Sequence, residues 1–106
     1  MDISADRLGQ QAAEILKSWE MPEKYVDTVV EVMIDTDLRG IDSHGVGMLS
    51  GYHNMRGLGR LVIDGEISVV RDLPSMALVD GGHGLGHPVG VFATDLAIKK
   101  CATTGI

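Results

Sequence analysis

The sequence is poor in cysteine, in aromatic residues and in positive charge, and it has no long apolar run. Its single cysteine, Cys101, cannot form an internal disulfide, which argues against a disulfide-stapled secreted domain. Nine Lys and Arg residues against fifteen Asp and Glu residues leave a net charge of −6, which argues against a nucleic-acid partner. No apolar run reaches the roughly 18 residues that cross a bilayer, and the N-terminus lacks the basic and apolar regions of a signal peptide. We therefore expect a cytoplasmic protein with no membrane partner.

Apolar residues and glycine are what the sequence has in quantity. Hydrophobic residues make up 44% of the 106 residues and charged residues 23%, a composition typical of a single globular domain. The fourteen glycines concentrate between Gly40 and Gly90. That part of the chain therefore either needs unusual backbone angles or brings its backbone close to another group.

Apolar residues recur at helical spacing in the first part of the chain. They predict one helix over residues 4–18, with Ser4 as its N-cap, and a second helix over residues 22–40. Ser43 belongs to the residue types that cap helices best, so it predicts the start of a third helix. We expect the segment 1–60 to be mainly helical.

Residues 61–106 predict a β-hairpin followed by a helix. Two extended apolar segments flank a Leu-Pro-Ser loop, and a glycine-rich turn over residues 80–90 leads into a helix that Gly105 ends. Because an isolated hairpin is marginally stable, we predict an α+β fold whose last helix packs on a sheet that this chain mostly lacks. A helix followed by Gly-Ile commonly leads into a strand, so we expect residues 1–106 to be one segment of a longer protein.

The stretch RGIDSHGVG, residues 39–47, is the strongest candidate for a functional site. Histidine is the side chain best suited to donate or accept a proton near neutral pH, which makes His44 a candidate, and Ser43 can orient it or relay the proton. A helix N-terminus also favours a bound anion, and the flanking glycines let a ligand approach. The structural alternative is that Ser43 only caps the third helix and that His44 is incidental. From the pattern alone, this alternative is favoured.

Tyr52 lies eight residues after His44. If the third helix begins near His44, residues 44, 48 and 52 lie on one face of that helix and can line a pocket. The alternative is an ordinary apolar stripe, which Met48 fits equally well.

The glycines and histidines that precede the last helix favour a structural interpretation. Gly84, Gly86 and Gly90 give the spacing G-x-G-x-x-x-G, which departs from that of a dinucleotide-binding loop. His83 and His87 have the four-residue spacing of two metal ligands on a helix, but the glycines between and beside them disfavour a helix. We therefore predict a structural turn and no metal site.

Three acidic residues fall close together near the end of the second helix, namely Asp35, Asp37 and Asp42. Carboxylates at such positions are usually solvated or paired with a neighbouring cation. We expect these three to be solvated or paired with Arg39 and predict no cation site there.

Two long stretches together indicate a family. DTDLRGIDSHGVGMLSGY and DGEISVVRDLPSMALVDGGHGLGHPVGVFATDLAIKKCATTGI resemble the N-terminal part of the malate/L-lactate dehydrogenases, which have a non-Rossmann fold. The most specific pieces are LRGIDSHGVG and the LVDGGHGLG turn, found in the same order. The resemblance implies an oxidoreductase that uses NAD or NADP to move hydride to or from a 2-hydroxy acid or a cyclic imino acid. It also implies a homodimer.

The resemblance assigns roles to particular residues. Ser43 and His44 match a Ser-His pair that acts as a proton relay in some members and faces the cofactor in others, so His44 and Gly45 become candidate cofactor contacts. Tyr52 matches a tyrosine that commonly faces the substrate. Met48 stands at a substrate-binding position where the family usually has an arginine, whose guanidinium would grip the substrate carboxylate with two hydrogen bonds.

The resemblance leaves a second function open. In the family, the nucleotide-binding part lies downstream of the segment that this chain matches, so we expect the 106 residues to be inactive alone. The methionine at the arginine position and the absence of that part also suit a non-catalytic interaction or assembly module.

Overall fold

The computed structural model describes residues 2–106 and shows an α+β fold. Its helices and strands, in chain order, are α1 (Ala5–Ser18), α2 (Glu23–Leu38), α3 (Leu49–Gly57), β1 (Ser68–Leu73), β2 (Met76–Asp80) and α4 (Gly86–Thr104). Three N-terminal helices, a hairpin and a final helix confirm the fold class and the order of elements that the sequence predicts.

The core lies between α1 and α2 and receives leucines from two later loops. Ser4 caps α1 as predicted, because its hydroxyl oxygen accepts the amide proton of Arg7 at 3.3 Å. Valines lower the helix propensity of α2, and burial stabilises the helix instead, since Val26 and Val29 are fully buried. The buried residues of the core cluster are Leu16, Trp19, Met21, Val26, Val29, Met33, Leu61 and Leu85.

The predicted start of the third helix at Ser43 is wrong. The chain instead makes two short 3₁₀ turns, Asp42–His44 and Val46–Met48, and α3 begins only at Leu49. Gly45 separates the two turns with a non-helical backbone (φ −91°, ψ −145°). The chain therefore forms no continuous helix from Ser43.

β1 and β2 pair antiparallel as the predicted hairpin, with Leu73 opposite Met76 at the loop end. The ammonium group of Lys100, on α4, contacts the carboxylate of Asp72 and donates to the carbonyl oxygen of Leu73 at 2.6 Å. β1 is exposed along its whole length. The hairpin is thus held mainly by α4 and not by the α1–α2 core.

The glycine-rich turn before α4 is a structural turn, as its spacing predicts. The Gly82 amide donates to Asp80 Oδ1 at 2.8 Å, and the Gly84 amide donates to the Gly81 carbonyl oxygen at 3.1 Å. A Cβ atom on Gly65 would overlap the backbone of Gly82, so glycine is needed where these two backbone segments meet. A dinucleotide-binding loop keeps its amides free for phosphate oxygens, whereas this turn uses two of them internally.

Much apolar surface of α4 and the hairpin is exposed in this chain. The exposed large apolar residues of these elements are Val69, Val70, Leu73, Met76, Leu78, Val91, Phe92 and Ile98. This exposure agrees with the prediction that α4 packs on a sheet that the chain mostly lacks. Within residues 2–106, none of the helices combines the length and the apolar character that crossing a membrane requires.

Truncation of Leu16 tests whether the α1–α2 core holds the fold together. Leu16 is fully buried, so Leu16→Ala removes apolar contacts and leaves a cavity, and the free energy of unfolding should fall by about 2–5 kcal/mol. Leu38→Ala is the matched control, because Leu38 is 71% exposed and its truncation should change stability by less than about 0.5 kcal/mol. Urea unfolding followed by circular dichroism measures both variants. Equal losses would contradict this assignment of the core.

Candidate functional site

Ser43 and His44 lie exposed on the first 3₁₀ turn after α2. Ser43 Oγ and His44 Nδ1 are 2.8 Å apart and share a hydrogen bond. The hydroxyl therefore contacts the neighbouring imidazole and caps no helix. The alternative that Ser43 serves only as the N-cap of the third helix is wrong. An imidazole that is oriented through Nδ1 keeps Nε2 free to exchange a proton with a ligand.

The carboxylate of Asp37, near the end of α2, holds this turn in place. Asp37 Oδ2 accepts the amide proton of Val46 at 3.0 Å. Gly45 is buried, and a Cβ atom there would overlap the Asp37 carboxylate. The pairing expected for this group of acids holds for Asp35, which binds Arg39 at 2.7 Å. For Asp37 the expectation is wrong, because its carboxylate supports the backbone of the Ser-His turn.

Met48 is half-buried on the second 3₁₀ turn and supplies no positive charge. Arg56 does not replace a missing arginine, since its guanidinium carbon lies 5.8 Å from the ring centroid of Trp19 and stacks on the core. Met48 can therefore offer a ligand apolar contact, but it cannot bind a carboxylate through two hydrogen bonds as an arginine does.

Tyr52 lines an open cleft of about 620 Å³ where α2, α3 and α4 meet. Its lining includes Val32, Tyr52, His87, Val91, Thr94 and Asp95. The ring of His87 meets that of Tyr52 edge-on, with centroids 6.0 Å apart and an interplanar angle of 88°. Burial raises the pKa of the Tyr52 phenol above its ordinary value, so the hydroxyl stays protonated at neutral pH.

His87, in the first turn of α4, is the residue of this cleft that sequence reasoning missed. Its Nδ1 atom is buried and has no hydrogen-bond partner among the described residues. Burial lowers the pKa of the imidazole, so the ring is neutral at neutral pH. The spacing of His83 and His87 in the sequence indicated only a possible pair of metal ligands. Across residues 2–106, no three His, Cys, Asp or Glu side chains are grouped so as to hold a metal ion.

The structure brings Tyr52 together with His87 and not with the Ser-His turn. The cleft lining includes neither the Ser43–His44 pair nor Met48. The expectation that residues 44, 48 and 52 share a helix face is wrong, because α3 begins only after Met48. The candidate site therefore has two parts, the hydrogen-bonded Ser43–His44 pair on the turn and the cleft that Tyr52 lines.

A family model decides what kind of protein carries this site. Residues 3–106 match the model of malate/L-lactate dehydrogenase. The chain belongs to this family. The match confirms the resemblance that the SHG and DGGHGLG stretches indicate, and it covers nearly all of the 106 residues.

Curated members of the malate/L-lactate dehydrogenase family align with all or nearly all of the chain. It is 38% identical to L-sulfolactate dehydrogenase of Methanothermobacter thermautotrophicus over 106 residues, which are 100% of this chain and 31% of that protein. It is also 38% identical to malate dehydrogenase of Pyrococcus horikoshii over 104 residues, which are 98% of this chain and 29% of that protein. The chain thus spans about 30% of the length of these relatives.

Solved structures in the family have the same fold over this segment. Malate dehydrogenase from Pyrococcus horikoshii OT3 superimposes with a TM-score of 0.91 at 37% identity, covering 99% of this chain and 30% of that one. Sulfolactate dehydrogenase from Methanocaldococcus jannaschii gives a TM-score of 0.91 at 33% identity, covering 96% and 30%. The helices and hairpin are therefore the arrangement that these dehydrogenases share.

Gly45→Ala tests whether Asp37 holds the Ser-His turn. The added Cβ displaces the Asp37 carboxylate from the Val46 amide, and loss of this bond should lower the free energy of unfolding by about 1–3 kcal/mol. The Val46 amide should also exchange with solvent faster, as nuclear magnetic resonance can measure. Gly47→Ala is the control, because its Cβ would lie 3.6 Å from the nearest atom, an ordinary contact. A Val46 amide that keeps wild-type protection in Gly45→Ala would refute the role of Asp37.

The half-buried imidazole of His87 should make folding stability depend on pH. The unfolded chain takes up this proton near the ordinary pKa of 6.5, whereas the folded chain resists it. Stability from this group is therefore complete above that pH and declines as the pH falls below it. His87→Gln should flatten the decline between about pH 7.5 and 5.5, as chemical denaturation at each pH will show. The control His83→Asn should keep the wild-type slope, and an unchanged slope in His87→Gln would disprove the assignment.

Proposed function

We propose that this chain is part of an oxidoreductase that transfers hydride between a 2-hydroxy acid and a nicotinamide cofactor, NAD or NADP. The observation that carries the proposal is the hydrogen-bonded Ser43–His44 pair on a turn supported by Asp37, in a chain of the dehydrogenase family. Relatives named for sulfolactate, malate and lactate share the 2-hydroxy acid as their substrate class.

Oxidation of a 2-hydroxy acid removes a hydride from C2 and a proton from the hydroxyl group, which leaves a 2-oxo acid. The nicotinamide ring, when bound, supplies the hydride acceptor. We assign the proton to this chain: His44 takes it from the substrate hydroxyl, and Ser43 orients the imidazole through Nδ1. In the reverse direction the same imidazole returns the proton to the oxygen.

The residues of this chain fit one end of the cofactor and not its phosphates. His44 and Gly45 lie on the exposed turn, and we propose that this turn contacts the nicotinamide end. The glycine-rich turn does not fit the diphosphate, since two of its amides already have partners and the Gly65 backbone packs against Gly82. The remainder of the protein must therefore supply the phosphate contacts.

We infer that residues 1–106 are inactive alone and form one wall of the site in the whole protein. The chain spans about 30% of its relatives, and the apolar surface of α4 and the hairpin is exposed in it. We propose that the rest of the protein covers this surface and that the complete enzyme is a homodimer in the cytoplasm.

A non-catalytic interaction or assembly module is the second candidate function. It is favoured by Met48, which removes the positive charge expected at the substrate position, and by the exposed apolar residues of α4. Such a module would associate stably with the rest of the protein through α4 without restoring hydride transfer.

A chimera tests the proposed function in a complete protein. Residues 1–106 replace the matching segment of Pyrococcus horikoshii malate dehydrogenase, with which they share 38% identity. The chimera should reduce NAD or NADP with a 2-hydroxy acid, and His44→Ala should lower kcat by about 10²–10⁴-fold because the proton acceptor is lost. Absorbance of the reduced nicotinamide measures the rate.

The matched control in the chimera is His83→Asn, which removes an exposed imidazole from a different turn and should leave kcat unchanged. Full activity in His44→Ala would contradict the role of His44. A folded chimera that oxidises no 2-hydroxy acid would instead favour the assembly module.

A further inference from the structure

The end of α2 keeps the following segment beside the last turn of the helix. Gly40 adopts left-handed backbone angles (φ +78°) and donates its amide proton to the carbonyl oxygen of Asp37 at 2.9 Å. The next amide, that of Ile41, donates to the carbonyl oxygen of Thr36 at 3.1 Å. These two hydrogen bonds form a Schellman motif, which ends a helix and changes the direction of the chain. The chain therefore turns back towards the side chain of Asp37.

Hydrogen bonds anchor the backbone on both sides of the Ser43–His44 pair. Before the pair, the amide of Ile41 is bound to α2, and its carbonyl oxygen accepts the amide proton of His44 at 3.0 Å. After the pair, the amide of Val46 donates to Asp37 Oδ2 at 3.0 Å. Backbone atoms make the first anchor, whereas a side chain makes the second. The loop that carries the pair is thus closed by the carboxylate of Asp37.

The carboxylate of Asp37 lies directly against the backbone that follows His44. Gly45 is buried, and a Cβ atom on it would overlap this carboxylate. A carboxylate accepts a stronger hydrogen bond from an amide than a neutral oxygen does. Because the imidazole moves with its backbone, a displacement of the loop would move His44. A misplacement of about 1 Å at a reacting group can slow a reaction by about a hundredfold.

We propose that Asp37 is a positioning residue for the proton transfer assigned to His44. The inference rests on the proposed function and deepens it, because it gives Asp37 a part in turnover and not only in stability. Asp37 acts through the backbone at Gly45 and Val46, which fixes the place of the imidazole. Ser43 then fixes the rotation of the ring through Nδ1.

The ring nitrogens of His44 test this role without a ligand, by nuclear magnetic resonance of the isotope-labelled 106-residue chain. Ser43→Ala defines the signals of a ring that lacks the serine bond. Asp37→Ala should shift the signals of His44 towards those values. Asp37→Asn keeps an acceptor oxygen and should stay near the wild type. Asp35→Ala is the matched control, since it removes a carboxylate of the same helix that makes an exposed ion pair with Arg39.

Gly45→Ala disturbs the same contact from the other side. The added Cβ displaces the carboxylate of Asp37, so the ring signals of His44 should shift as they do in Asp37→Ala. Because both changes remove one contact, the double variant should show no larger shift than either single variant. Shifts that add in the double variant would mean that the two residues act independently, and they would refute the proposal.

The chimera measures the effect on turnover. Asp37→Ala should lower kcat by about tenfold to a hundredfold, with KM for the 2-hydroxy acid within about twofold of the wild type. Asp37→Asn should restore kcat to within about threefold. Leu16→Ala separates positioning from stability, because it weakens the core away from the turn and should keep the wild-type kcat at a temperature where the chimera stays folded.

Four outcomes would overturn the proposal: wild-type ring signals of His44 in Asp37→Ala, a wild-type kcat in Asp37→Ala, an equal loss of kcat in Leu16→Ala, or no rescue in Asp37→Asn. The His44→Ala chimera distinguishes this failure from failure of the proposed function. If it is inactive while Asp37→Ala keeps the wild-type kcat, the function stands and the positioning role is refuted. If His44→Ala keeps full activity, the proton transfer fails, and the role of Asp37 in turnover fails with it.

Discussion

The contact between the Asp37 carboxylate and the backbone at Gly45–Val46 determines where Ser43 and His44 lie. Because Asp37 occupies the space of a side chain at position 45 and accepts the Val46 amide, the chain leaves α2 as two short turns and not as a continuous helix. Without a helix to cap, the Ser43 hydroxyl is available to the neighbouring imidazole. A carboxylate outside the Ser43–His44 pair thus sets the geometry of that pair.

The cleft depends on a different set of contacts, further along the chain. Close approach of Gly65 and Gly82 fixes the turn before α4, and Leu85 anchors that turn in the core. These contacts place His87 at the start of α4 opposite Tyr52. The glycines of this segment, whose spacing departs from that of a dinucleotide-binding loop, bring two backbone segments together.

Local pattern was sufficient for most of the fold, because helices and hairpins are encoded by neighbouring residues. Ser4 as a cap and the Leu-Pro-Ser hairpin loop are examples. The turn after α2 could not be predicted this way, since it depends on a carboxylate nine residues before the amide that it binds. The place of His87 in the cleft was missed for a related reason: its contact with Tyr52 is tertiary and leaves no spacing in the sequence.

The hairpin has a consequence for how this segment behaves in solution. A sheet of two strands has two open edges, and along each edge backbone donors and acceptors have no strand to pair with. β1 adds a fully exposed surface and carries two adjacent valines, Val69 and Val70, with strong strand propensity. Apart from the rest of the protein, such a ribbon can template pairing with other copies of itself. The self-association of the segment should then grow with its concentration.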